Sequence, residues 1–357
     1  MNNIDILKQN NQSIWIDYIS KEIIESGELK SLINKGITGL TSNPSIFEKA
    51  ISNSESYDED IKFLAKNNPS ISSYEVFELL SITDIKNAAN LLLETYDSTH
   101  KLDGYVSIEV SPDLAHDTDK TVNQAIHLHK KINMPNILIK VPATKEGVKA
   151  IQKLTEIGIN TNATLMFNQD HYKDVADAFI NGCSKYNKNI FPFSVASFFV
   201  SRVDTAIDKL ISDKNNKSSL LGEIAILNSR LAYANFLNKF PNQLSGPLQK
   251  PLWGSTSTKN SNYSKTLYID RLIAPNSVNT IPYETIEEFL NSGQPENYQD
   301  WDKESIETRL KKLENYDINL KEVTQALQYQ GIKLFQESYT NLLNSITEKL
   351  KIISKNN

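Results

Sequence analysis

Between residues 13 and 281 one pattern recurs about eight times: a short apolar run rich in β-branched residues, then a stretch with apolar residues at three- and four-residue spacing. The first suits a buried parallel strand and the second an amphipathic helix. The strand-like runs fall at 13–17, 36–44, 104–112, 136–144, 158–167, 189–196, 249–256 and 277–281. No hairpin turn joins one run to the next, so a parallel sheet is expected, and eight βα units imply closure into a (β/α)8 TIM barrel of the α/β class. A doubly wound sheet would place a glycine-rich phosphate turn after its first strand, and none stands there. Residues 18–32 read as the helix after the first strand, and 55–100 hold more helical sequence than one barrel helix needs. Residues 284–357 read as a C-terminal helical extension, with a long amphipathic segment from Leu320 to about Ile353 that packs on the barrel or crosses its mouth. The whole chain, 1–357, is expected to form one barrel domain with these additional helices.

Charge narrows the partners. The 38 basic and 43 acidic side chains leave a formal net charge of -5 with no long basic block, which argues against nucleic acid or an anionic membrane as the partner. Any anion must be bound locally. Cys183 is the one cysteine, so no intrachain disulfide and no cysteine metal site can form, and it reads as a small buried residue on a helix. The segment from Gly254 to Lys259 looks like a nucleotide phosphate loop but lacks the spacing of one. His116, Asp117 and Asp119 are better explained as a capped helix start, with Asp117 or Thr118 as the cap, than as metal ligands. Neither a metal nor a cofactor is expected. The first residues, MNNIDI, lack the blocks of a signal peptide, and no apolar run reaches membrane-spanning length, so the cytoplasm is the expected location. The polar run 213–217 reads as an exposed turn.

The fourth run carries a charge in an apolar strand, Lys140, with Pro142 close behind. Burial disfavours the ammonium form, and a free amine is the nucleophile that Schiff-base chemistry on a carbonyl requires. Such a lysine can also snorkel to solvent or pair with a carboxylate. Its neighbours in the pattern bear on the choice. Asp17, Asn43, Glu109, Lys140, Asn162 with Thr164, Ser197 and Ser255 each fall at or just beyond the C-terminal end of a different expected strand, the edge where barrel active sites are built.

Four segments also carry a resemblance: GLTSNPSIF at 39–47, ILIKVPAT at 137–144, GINTNATLMF at 158–167 and WGSTSTKN at 253–260. Together and in this order they resemble the transaldolase family, in its longer bacterial branch, over about 15–282. The resemblance implies a class I aldolase-type barrel in which Lys140 forms a Schiff base with a ketose phosphate. It implies Asp17 as the base for carbon–carbon cleavage, and Glu109 as the proton shuttle through a water held by Thr164. It also implies Asn43, Asn162 and Ser197 as ligands of substrate hydroxyls. Arg202, Ser255 and Lys259 are implied for the phosphate, with the strand-seven loop the hardest to match. The related fructose 6-phosphate aldolase branch has glutamine in place of Glu109 and tyrosine in place of Phe199, so both residues favour transaldolase, and Phe199 joins the substrate-binding set. A sugar-phosphate-binding protein without turnover is the reading from outside enzymes. Small sugar phosphates are the implied ligands, and the chain as monomer or homodimer stays open. The C-terminal helix is expected to shield the mouth from water.

Overall fold

Side chains alternate faces along a strand, so residues two apart point the same way. In the computed structural model, which describes residues 3–214, 218–243 and 246–355, this period organises the barrel interior. Eight parallel strands close in chain order: β1 (Gln12–Ile16), β2 (Gly39–Thr41), β3 (Val106–Glu109), β4 (Ile137–Pro142), β5 (Thr161–Met166), β6 (Ser194–Phe199), β7 (Gln249–Gly254) and β8 (Ser277–Ile281). β8 pairs back onto β1 along its whole length. Trp15, Tyr105, Leu138, Val195, Leu252 and Val278 form an apolar plug separate from the main core. Two positions further along the same chain segments stand Asp17, Ser107, Lys140, Ser197, Gly254 and Thr280. The plug thus becomes a floor with a polar layer above it, towards the C-terminal ends of the strands.

Register, not position within a strand, decides which residues share that layer. Glu109 ends β3, Lys140 is fourth in β4 and Asn162 is second in β5, yet Glu109 pairs with Lys140 and Lys140 with Asn162. The stagger of a closed barrel produces this climb. Asn162 therefore lies near the start of its strand, not at its C-terminal end as its spacing suggests. The sixth strand also begins later than expected, at Ser194, because the Phe193 N–H is taken by the Asn160 side chain at 2.9 Å.

The helical segment at 18–32 is two helices, Lys21–Glu25 and Glu28–Lys35, broken at Gly27, whose φ of 81° suits glycine. The stretch 55–100 holds Asp58–Asn67, Ser73–Leu91 and Leu93–Ser98, the second opened by a Ser72–Glu75 capping box. A short helix, Asn3–Gln9, precedes β1 and has no counterpart in the sequence reading. Asp117 caps Thr118–Ile132 as expected, and Cys183 is buried on Gln169–Lys185. Residues 215–217 of the polar run lie outside the described residues. Among the described residues the C-terminal extension holds three α-helices, Tyr283–Ser292, Lys303–Lys311 and the long Leu320–Lys355, with a 3-10 helix Lys312–Tyr316 between the last two. The last crosses the C-terminal face: Gln328 donates to the carbonyls of Ala143 and Leu165, and Ser338 meets Ser45 at 2.7 Å. Among the described residues no helix is long and apolar enough to cross a membrane.

Candidate active site

Above the apolar floor opens a cavity of about 310 Å³, lined from β1, β2, β4 to β8 and the long C-terminal helix. Lys140 reaches its base. The lysine is 4% exposed; its Nζ donates to the Ser42 carbonyl at 3.0 Å and sits 3.3 Å from Glu109 Oε2. The latter contact is an ion pair without hydrogen-bond alignment, so among the described residues Glu109 Oε2 has no hydrogen-bond partner. Burial pushes the Glu109 carboxyl up to about 7, Lys140 opposing the rise and Asp17 adding to it. A carboxyl so placed exchanges protons near neutrality.

Asp17 follows the last residue of β1 and lines the cavity. Burial raises its pKa, held back by the charge of Lys140 and by the Thr41 hydroxyl, which donates to Asp17 Oδ1 at 2.7 Å. Thr41 also meets the Thr280 hydroxyl at 2.7 Å, joining β2 and β8 beside the carboxylate. Thr41 and Thr280 escaped the sequence reading, although the strand-end rule that singled out Asp17 applies equally to both.

The amides divide. Asn43 caps the helix Pro44–Ser52 by accepting from the Ile46 N–H at 3.0 Å, so its role as a helix cap is real. It also lines the cavity, and its NH2 group is the part left for a ligand. Asn162 is fully buried behind the wall: it donates to Ser107 Oγ at 3.0 Å and accepts from Ser197 Oγ at 2.7 Å. It stands level with Lys140 across the β4–β5 pairing, and its bond to Ser197 ties it to a residue that does line the cavity. Ser197 and Thr164 line the cavity, and among the described residues the buried Thr164 hydroxyl has no hydrogen-bond partner. Such a group calls for a water or a ligand.

On the β6–β7 side stand Phe199, Arg202, Ser255 and Lys259. The Arg202 guanidinium lies 5.5 Å from the Phe199 ring centroid, and burial pulls its pKa down. Among the described residues no carboxylate pairs with it, so a half-buried cation faces the cavity in want of an anion. Ser255 adopts a left-handed φ of 56° and meets the Ser201 hydroxyl at 2.9 Å. Lys259 is exposed at the rim and donates to Ser257 at 3.1 Å. Lys49, Glu284 and Phe335 also line the cavity and were not singled out from the sequence. The exposed Lys49 carries no strand-end signal, and Phe335 lies on a helix far along the chain.

A buried lysine beside a near-neutral carboxyl, a second carboxylate and an unpaired guanidinium in one barrel mouth set the terms for comparison with known proteins. The family model described as transaldolase/fructose-6-phosphate aldolase matches residues 14–346. The chain belongs to this family. A transaldolase of Trichodesmium erythraeum is 40% identical over 364 residues, covering 95% of each chain. One named transaldolase 2 from Nostoc sp. is 38% identical over 99% of each, and one from Saccharopolyspora erythraea 38% over 98% of each. The family match takes in every candidate residue, from Asp17 to Lys259, and most of the long helix over the mouth.

Proposed function

We propose that the chain is a transaldolase that moves a dihydroxyacetone unit from a ketose phosphate, sedoheptulose 7-phosphate or fructose 6-phosphate, to an aldose phosphate. The observation that carries this reading is Lys140, which lines the same cavity as Asp17 and holds its buried partner Glu109 3.3 Å behind it. Lys140 Nζ attacks the C2 carbonyl. Glu109, working through a water held at the Thr164 hydroxyl, gives the proton with which the C2 oxygen leaves as water, and the iminium forms. Asp17 takes the proton of the C4 hydroxyl, the C3–C4 bond breaks into the iminium, and the aldose phosphate departs. The enamine then attacks the aldehyde carbon of glyceraldehyde 3-phosphate or erythrose 4-phosphate, Asp17 returns its proton, and hydrolysis through Glu109 frees the product. Two carboxylates with different surroundings thereby hold different tasks.

Asn43 and Ser197 bind hydroxyls of the three-carbon unit, with Asn162 orienting Ser197. Arg202 anchors the phosphate with Ser255 and Lys259, a task suited to a guanidinium that lacks a carboxylate partner. The same reading has sugar phosphates as the ligands and puts the enzyme in the cytoplasm, where those metabolites are held. Fructose 6-phosphate with borohydride should leave a reduced adduct on Lys140, seen as a mass shift of its peptide. An unmodified Lys140 would sink the covalent mechanism. Release of free dihydroxyacetone at full rate without an acceptor would instead indicate an aldolase.

A further inference from the structure

The enamine on Lys140 has two fates. Its C3 attacks an aldose, or C3 takes a proton, water adds at C2, and the C–N bond breaks to give free dihydroxyacetone and the lysine amine. The second fate consumes one water and ends transfer. What covers Lys140 therefore decides the outcome.

Phe335 of the helix Leu320–Lys355 lines the cavity, is 4% exposed, and puts its ring centroid 5.9 Å from Lys140 Nζ. Gln328 lies seven residues earlier, about two turns, and so on the same helix face. Its Nε2 donates to the Ala143 carbonyl at 2.8 Å and to the Leu165 carbonyl at 3.1 Å, just past Lys140 and Thr164. Leu165 has φ 59° where the β5–β6 register shifts between Ala163 and Met166. Between Gln328 and Phe335, Gly331 lets the helix settle: a Cβ there would stand 2.9 Å from Leu165 Cδ2 and 3.5 Å from Arg202 Nη1. Beyond Phe335, Ser338 meets Ser45 at 2.7 Å. The helix is thus pinned on both sides of the ring.

We propose that Phe335 sets aldose against water as the acceptor, and that Gln328 is the positioning residue that seats it. The ring withholds water from C2 and C3 of the bound three-carbon unit while leaving the β6–β7 side open to an incoming aldose phosphate. This rests on the proposed transaldolase reaction.

The test uses full-length Phe335→Ala, Phe335→Leu and Gln328→Ala with fructose 6-phosphate and saturating erythrose 4-phosphate, reading free dihydroxyacetone against sedoheptulose 7-phosphate. Phe335→Ala should raise that ratio about tenfold, as expected for opening a water-excluding site. Phe335→Leu should stay near wild type. Gln328→Ala should raise the ratio about threefold, the scale of a weakened hydrogen-bonded seat, with little change in KM. An unchanged ratio in a Phe335→Ala protein that still traps borohydride on Lys140 overturns the proposal. Should Phe335→Ala not fold, an unchanged ratio in Gln328→Ala overturns it. A wild-type protein with no trapped adduct would refute the parent mechanism instead, whatever the ratio.

Discussion

Lys140 and Lys250 are two buried lysines in the barrel wall, 4% and 5% exposed, on β4 and β7. Each stands within two residues of a proline, Pro142 or Pro251. Two of their contacts match as well: Lys140 donates to the Ser42 carbonyl and lies 5.9 Å from the Phe335 ring, Lys250 to the Leu102 carbonyl and 5.8 Å from the Phe193 ring. The environments differ in what else each lysine meets. Lys140 opens on the 310 Å³ cavity and pairs with Glu109, whose carboxyl is poised at about 7. Lys250 is closed in at the other end of the barrel, where the nearby Asp103 carboxylate is committed to the Trp15 indole at 2.7 Å. Burial and a carbonyl contact therefore do not set the two lysines apart. An accessible volume and a carboxyl able to trade protons do.

The comparison breaks most sharply by exchange of each amine for a methyl thioether. Lys140→Met should cost on the order of 10⁴-fold or more in transfer, since the covalent route is gone. Lys250→Met should keep transfer within about threefold of wild type, as an interior substitution far from the chemistry. An inactive but folded Lys250→Met would overturn the contrast.

Glu109→Gln sharpens it next, because the difference is assigned to a proton-trading carboxyl. Transfer should fall about 100-fold, the usual scale of general acid–base help. The limb of the pH–rate profile near 7 should flatten in the variant, and a retained limb would move that titration to another group. Arg202→Ala should then raise KM for fructose 6-phosphate about 30-fold, the worth of a charge-assisted contact, with less effect on an unphosphorylated ketose.

The smallest expected effect is on stability. Burial lowers the Lys250 pKa, with the Asp103 charge opposing. Between that lowered value and the unfolded value near 10.5 the unfolded chain binds more protons, so folding gains stability as pH rises. Wild type should gain denaturant resistance relative to Lys250→Met as pH climbs from 7 towards 10. A parallel course of the two would mean that Lys250 does not titrate differently on folding.

Much of the site was legible because period-two alternation and strand ends are local patterns. Asp17, Glu109, Lys140, Thr164 and Ser197 could each be placed from the few residues around them. The same rule, carried to β2 and β8, would have found Thr41 and Thr280. Asn162 was misplaced because a residue's height in a closed barrel depends on the stagger between neighbouring strands, and one strand's sequence does not contain that stagger. The break at Gly27 was missed because apolar spacing continues across it.

The sequence by itself determined the order of strands and helices, the lysine and the two carboxyls, since each rests on side-chain chemistry and short-range periodicity. Only the tertiary structure distinguished Lys140 from Lys250, bonded Asn162 to Ser197, and brought Phe335 and Gln328 over the mouth. Those outcomes depend on which surfaces meet when the barrel closes and a helix from the far end of the chain packs on it, and such long-range contacts leave no periodic mark in the residues that make them.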